Sequence, residues 1–413
     1  MPVFTTLFLT LLLLTTLVRL WLAYRHVAHI QAHRAAVPGA FSETIRLEDH
    51  QKAADYSSAK TRLVMVESVV QALLLWGFTL GGGLQWIDAA WQATLPDSTI
   101  LRGALVILSA FVVSSLVEVP LDYYRAFVVD ERFGFNKMTR AMFATDLVKH
   151  ALVGLALGLP LLFAALWLMQ EAGSGWWLYL WIVWALFNLL MLTLYPTLIA
   201  PLFNKFSPLT DETLKSRIET LLNRCGFKSQ GLFVMDGSRR SSHGNAYFTG
   251  FGSAKRVVFF DTLLERLNAD EIEAVLAHEL GHFKHHHVMK RIALMFAVSF
   301  LGLALLGWLV DQPWFFSGLG VDTPSNHMAL LLFLLASPVF LFLLRPLLAG
   351  YARKNEFEAD AYAARHSSAR HLIEALVKLY RDNASTLTPD PLHSAFYDSH
   401  PPASIRIARL ESA

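Results

Sequence analysis

Seven stretches of this chain are apolar enough and long enough to cross a lipid bilayer, at about 4–24, 63–87, 103–118, 148–170, 176–200, 292–310 and 327–350. Inside hydrocarbon no water is available to backbone N–H and C=O groups, so a crossing segment of this length must satisfy its own hydrogen bonds as an α-helix. The expected fold is an all-α membrane protein with seven transmembrane helices. Composition agrees: 54% of the 413 residues are hydrophobic and only 16% charged, against roughly a quarter charged in soluble domains. The first stretch lacks a basic leading region and a small-residue cleavage site, so it reads as a helix that is retained.

The loops at about 88–100, 171–175 and 311–326 carry no Lys or Arg, whereas 25–62 carries Arg25, Arg34, Arg46, Lys52, Lys60 and Arg62, and 119–147 carries Arg125, Arg132, Lys137 and Arg140. By the positive-inside rule the N-terminus faces outward, while the long 201–291 segment and the C-terminus are cytoplasmic. Four regions result: five membrane helices over 1–200, a cytoplasmic catalytic segment over 201–291, helices six and seven over 292–350, and a cytoplasmic segment over 351–413. A bacterial inner membrane and an endoplasmic reticulum membrane fit equally. Glu67, Gln71, Glu118 and Asn188 are costly to place against lipid and point either to a wet interior or to hydrogen bonds between helices, whereas Arg19 and Arg345 can snorkel. The net charge of +2 and the lack of a basic run with interleaved aromatics exclude a nucleic-acid partner.

Residues 278–282 read His-Glu-Leu-Gly-His in the longest polar segment. Asn268 as N-cap, Glu271 three residues on, and the apolar Ile272, Val275 and Leu276 predict a helix there. One helical turn separates His278 from His282, so both imidazoles leave one face and can share one Zn²⁺. Glu279 is offset from that face, placed to take a proton from a metal-held water. Cys225 is the only cysteine, which leaves His and carboxylate as ligands. Lys284, His285, His286 and His287 read as a solvated run where the helix meets the membrane.

A catalytic zinc needs a third protein ligand. Glu356 and Asp360, four apart on a helix continuing from span seven through Arg365, share a face. Glu356 can ligate while Asp360 accepts the outer N–H of a ligating histidine, and Glu358 points elsewhere. Between spans five and six, 211–225 reads as an amphipathic helix, and 231–236, 245–251 and 256–260 as short strands, giving a small α+β domain. The 245–251 strand is the candidate edge for holding an extended substrate. In the tail, His400-Pro401-Pro402 stiffens the backbone ahead of a last helix bearing Arg406, so His400 and Arg406 can be presented to a developing oxyanion.

The ordered set of His278-Glu-Leu-Gly-His282, Glu356-Phe-Glu-Ala-Asp360, Asn245-Ala-Tyr-Phe-Thr-Gly-Phe251, Phe259-Phe-Asp-Thr-Leu-Leu-Glu265, Phe127-Val-Val-Asp-Glu-Arg-Phe-Gly-Phe-Asn136 and the His400-Pro-Pro tail with Arg406 resembles the type I CAAX prenyl protease family over nearly the whole chain. The resemblance implies one Zn²⁺ per chain on His278, His282 and Glu356, Glu279 as catalytic base, Asp360 behind the ligands, and His400, Arg406 and Asn245 in substrate or transition-state contacts. It also implies a ring of seven helices around a water-filled chamber, and a peptide or protein substrate, prenylated or membrane-associated. A membrane-protein quality-control protease without prenyl specificity is the alternative. A metal-binding transporter fits less well, because the ligands lie in segments flanking the spans rather than within them.

Overall fold

The computed structural model describes residues 3–96, 98–227, 229–249 and 256–412. The chain runs through α1 (Val3–Ala32), α2 (Leu47–Phe78), α3 (Gly83–Thr94), α4 (Thr99–Tyr124), α5 (Arg140–Glu171), α6 (Trp176–Leu194) and α7 (Ala200–Phe203). An α+β segment follows: β1 (Phe206–Pro208), α8 (Glu212–Arg224), β2 (Leu232–Met235), β3 (Ala246–Thr249), β4 (Arg256–Phe260), α9 (Asp261–Leu264) and α10 (Ala269–Lys284). The rest is helical: α11 (His287–Leu309), α12 (Pro313–Gly318), α13 (Asn326–Leu341), α14 (Arg345–His366), α15 (Ala369–Asp382), α16 (Pro391–Tyr397) and α17 (Ala403–Glu411).

Among the described residues seven helical runs are long and apolar enough to cross a membrane, the number the hydropathy predicts. Their bounds differ where local chemistry overrides hydropathy. The second span, expected over 63–87, runs from Leu47 to Phe78: the helix extends back through the polar 47–62 segment, and the Gly81-Gly82-Gly83 run turns the chain at its end. Gly82 sits at φ +76°, and a β-carbon on Gly81 or Gly83 would lie 2.8 Å from the Gly77 carbonyl oxygen. The third starts earlier than the expected 103 and continues past Pro120 through a π-helical segment, Arg125–Asp130. The seventh is broken at Phe342–Leu344, and Pro346 starts the new helix α14.

The spans touch in a closed cycle, α1 to α2, α4, α5, α6, α11, α13 and back to α1. The wall of this ring is one helix thick: no residue of α5 over 147–164, of α6 over 181–194 or of α11 over 288–305 is buried. A helix in a solid bundle buries one face along its whole length; here both faces are open at mid-span, one toward lipid and one toward an internal chamber. The ring is plugged at the end away from the sheet, where Phe8, Phe78, Leu84, Ile107, Leu166, Trp176, Leu306, Phe316 and Leu331 share a core with α3 and α12. Of the intramembrane polar groups, Glu67 pairs with Arg125, Asn188 donates to the Trp184 carbonyl at 2.8 Å within its own helix, and Arg19, Gln71 and Glu118 line a cavity of about 320 Å³ between α1, α2, α4 and α13.

At the other end lies a four-stranded sheet in the order β1-β2-β4-β3, with β2 parallel to β4 and both outer strands antiparallel to their neighbours. The core beneath it joins Ile218, Leu221, Val257, Phe259, Ile272 and Leu276 to Tyr362, Ala363, Leu372, Ala375 and Leu410, so the segments before and after the last two spans fold as one body. Arg240 fastens that body to the ring, donating to both oxygens of Asp146 on α5 at 2.9 and 3.1 Å and to Asn204 at 2.9 Å.

Candidate metal centre

The helix bearing the His-Glu-Leu-Gly-His sequence forms as its signals predict. Asn268 Oδ1 accepts from the Glu271 N–H at 2.9 Å and Glu271 Oε2 accepts from the Asn268 N–H at 2.8 Å, a reciprocal cap on the first turn of α10. Glu271 is itself buried and held by Lys378 Nζ at 2.7 Å, which ties the cap to α15. The far end of α10 presses on α14, and only Gly281 permits the approach: a β-carbon there would stand 2.8 Å from the Ala359 α-carbon.

That contact brings His278, His282 and Glu356 together. Their ligand atoms all lie within 4.8 Å of one another. His278 Nε2 is 3.3 Å from His282 Nε2 and 3.5 Å from Glu356 Oε2, and His282 Nε2 is 3.3 Å from Glu356 Oε1. Ligands arranged tetrahedrally at about 2.1 Å from a metal stand about 3.4 Å apart, close to the separation of the two imidazole nitrogens and to the distance from each of them to its nearer Glu356 oxygen. Glu356 Oε2 is buried with no hydrogen-bond partner, an orphan that a cation would satisfy. The donor set, two imidazoles and one carboxylate, fits a divalent metal with a fourth position open.

Asp360 and Arg406 stand behind this face. His278 Nδ1 donates to Asp360 Oδ1 at 2.8 Å, which fixes Nδ1 as the protonated nitrogen and leaves Nε2 to offer its lone pair to the ligand cluster once the ring is neutral. Arg406, brought in on α17, donates to Asp360 through Nε at 2.8 Å and Nη2 at 2.6 Å, while Nη1 lies 3.8 Å from Glu356 Oε2. Both Asp360 and Arg406 are buried. Burial works against a charged His278, but the bond to Asp360 and the nearby Glu356 carboxylate outweigh that cost and hold its pKa up at about 9, so in the metal-free protein Nε2 is protonated as well and a metal binding here displaces that proton.

The remaining predicted residues fall around the cluster. Glu279 is half-buried and makes no hydrogen bond to another described residue. His400, 62% exposed, places Nε2 3.5 Å from Glu356 Oε1. Arg406 differs from the expected oxyanion contact: two of its three nitrogens are committed to Asp360, and it sits behind the ligands rather than in front of them. Asn245 is exposed at the head of β3, its carbonyl accepting from the Phe260 N–H at 3.0 Å. Among the described residues β3 is paired on one side only, with β4, and lies against α10; Gly250 and Phe251, the end of the 245–251 segment, lie outside the described residues.

Two expectations are overturned. His287 is buried rather than solvated, with Nδ1 3.0 Å from His282 Nδ1. Glu358 turns toward the cluster, with Oε2 3.0 Å from His287 Nε2. His286, at φ +56°, makes the left-handed turn that carries His287 back against α10, a tertiary consequence that a run of three histidines does not signal.

Residues 26–205 match the family described as CAAX prenyl protease N-terminal, five membrane helices, and residues 208–413 match peptidase family M48. A CAAX prenyl protease 1 homolog of Arabidopsis thaliana is 35% identical over 91% of this chain and 90% of its own length. CAAX prenyl protease 1 of Saccharomyces cerevisiae is 32% identical over 95% and 91%. The crystal structure of S. mikatae Ste24p superposes with a TM-score of 0.92 at 29% identity, covering 99% of each chain. The fold thus recurs over the whole length, and the chain belongs to the CAAX prenyl protease family of M48 peptidases, a multi-pass membrane metalloendopeptidase.

Proposed function

We propose that the chain binds one Zn²⁺ through His278, His282 and Glu356 and cleaves prenylated proteins near a C-terminal CAAX sequence, on the cytoplasmic side of its membrane. The observation that carries the site assignment is the convergence of one ligand atom from each of the three residues within 4.8 Å, each imidazole Nε2 lying 3.3–3.5 Å from a Glu356 oxygen, together with the unpartnered Glu356 Oε2. The substrate class rests on relatives named CAAX prenyl protease 1 that align over nine-tenths of the chain. The orientation rests on the Lys and Arg residues concentrated in the loops on the side of the sheet.

Held by His278, His282 and Glu356, zinc would supply a Lewis acid to acidify water and polarise the scissile carbonyl. Glu279, whose carboxylate has no partner among the described residues, accepts the proton of the attacking water and delivers it to the amine nitrogen as the C–N bond breaks, so hydrolysis ends with a carboxylate and an amine. His400, exposed beside Glu356, donates to the carbonyl oxygen as it gains charge. Arg406 acts from behind, fixing Asp360 and through it His278. An extended peptide aligns along β3 by main-chain hydrogen bonds, with Asn245 at the head of the strand.

The test is cleavage by purified, zinc-loaded protein of a farnesylated CAAX peptide, its unprenylated counterpart and an unfolded membrane protein. Preference for the farnesylated peptide is expected. Equal cleavage of all three would leave the peptidase and remove the prenyl specificity.

A further inference from the structure

Two histidines of the cluster need their outer nitrogens protonated to offer lone pairs inward, and the structure meets that need in two different ways. For His278 the acceptor is a carboxylate in direct contact, Asp360 at 2.8 Å. For His282 it is another imidazole: His282 Nδ1 lies 3.0 Å from His287 Nδ1, and His287 Nε2 lies 3.0 Å from Glu358 Oε2.

The bond polarities along this second path follow from its ends. A carboxylate can only accept, so His287 Nε2 carries the proton and His287 Nδ1 is the lone pair. His282 Nδ1 then donates to it, and His282 Nε2 is left to face Glu356 and His278. One carboxylate thereby sets the tautomer of two rings in series. The geometry is held on every side: His287 is 5% exposed, is stacked on His285 at 5.6 Å between ring centres, and starts α11 from the left-handed turn at His286. Glu356, Glu358 and Asp360 all belong to α14, so one helix provides the carboxylate of the cluster, the acceptor behind His278 and the carboxylate that ends the path behind His282.

We infer that His287 and Glu358 are positioning residues of the metal centre, a hydrogen-bonded relay that fixes His282 as an Nε2 ligand as Asp360 fixes His278. The inference rests on the proposed ligand set and adds to it two residues that touch neither metal nor substrate. Loss of such outer partners costs roughly 10–100-fold in metal affinity in other sites.

The experiment measures zinc affinity of the full-length protein in detergent by competition with a chromophoric chelator, and the visible spectrum of the cobalt-loaded protein, for His287→Ala, Glu358→Ala, the double variant and His282→Ala. Expected are a roughly 10–100-fold weaker affinity and an altered cobalt spectrum for His287→Ala, a weaker affinity for Glu358→Ala, and a double variant no weaker than His287→Ala alone, since both substitutions break one relay. An unchanged cobalt spectrum with His287→Ala within twofold of the native affinity overturns the inference, as do additive losses in the double variant. Should His287→Ala fail to fold, Glu358→Ala decides, because its side chain reaches solvent and fills no core; native affinity and spectrum there overturn the relay. Native affinity in His282→Ala overturns the ligand assignment itself, a separate outcome.

Discussion

Gly281 lies against Ala359 so closely that a β-carbon on it would stand 2.8 Å from the Ala359 α-carbon and 3.0 Å from Tyr362 Cβ. The two helices carrying the ligands are set at their separation by this one missing side chain. Gly281→Ala is therefore a test with a sign. On an open helix the substitution stabilises by about 1 kcal/mol through propensity; here overpacking of about 1–3 kcal/mol opposes it and drives Glu356 away from His282. The expected result is a lower thermal midpoint together with at least about tenfold weaker metal binding, read by thermal shift and chelator competition. A raised midpoint with native affinity would show that the helices have room to spare.

Much of this architecture is legible in the chain because its determinants are local. Span number follows from apolar length, and α10 from Asn268, Glu271 and the 3.6-residue spacing of its apolar residues. His278 with His282, and Glu356 with Asp360, each follow from one helical turn. What is not legible depends on distant segments meeting. Arg406 lies 46 residues beyond the Asp360 it grips, so nothing in its own neighbourhood shows that its guanidinium is already spent. His287 looks solvated because its flanking residues are polar, and only the turn at His286 and the reach of Glu358 from α14 make it part of the cluster. The end of the second span is hidden for a different reason: hydropathy runs smoothly through three glycines whose missing β-carbons allow the left-handed, close-packed turn that follows the helix.

The buried Asp360 and Arg406 pair predicts a marked asymmetry between conservative and truncating changes. Arg406→Ala leaves a buried carboxylate without its guanidinium and should cost about 3–5 kcal/mol, seen as a large fall in thermal midpoint with loss of bound metal. Arg406→Lys keeps the charge but replaces the planar two-nitrogen fork with a single nitrogen on a shorter-reaching, less directional head, so metal should be retained with weaker affinity. Equal behaviour of the two variants would mean that charge alone, not the two-pronged geometry, holds Asp360.

His278 gives the metal-free protein a pH dependence of defined sign. Its folded pKa of about 9 lies above the ordinary 6.5, so the folded state binds the proton more tightly than the unfolded chain does. The resulting stability is fully present below about pH 6.5 and is lost as pH rises through about 9. Metal binding displaces that proton, so its affinity should climb across the same window. Thermal shift with and without chelator from pH 6 to 9.5 should show the metal-free midpoint falling while the increment due to metal grows. A metal-free midpoint that rises with pH would contradict the bonding described for His278.

Glu279 and His400 should separate chemistry from binding, because neither is needed to assemble the ligand cluster. Glu279→Gln preserves size and removes the base. It should retain a full complement of metal while kcat falls by roughly 10²–10⁴-fold, the usual contribution of a positioned general base. Glu356→Ala, by contrast, should lose the metal as well as the activity. His400 is the subtler case, since it is exposed, lies 3.5 Å from the Glu356 carboxylate, and sits where Pro401 and Pro402 restrict its backbone. If it donates to the carbonyl oxygen only as charge develops there, His400→Ala should lower kcat by roughly 10²–10³-fold with KM nearly unchanged and metal affinity intact. A rise in KM at constant kcat would make His400 a substrate contact instead, and weaker metal binding would make it a partner of Glu356. The three outcomes are distinguished by steady-state kinetics on one peptide together with one metal titration.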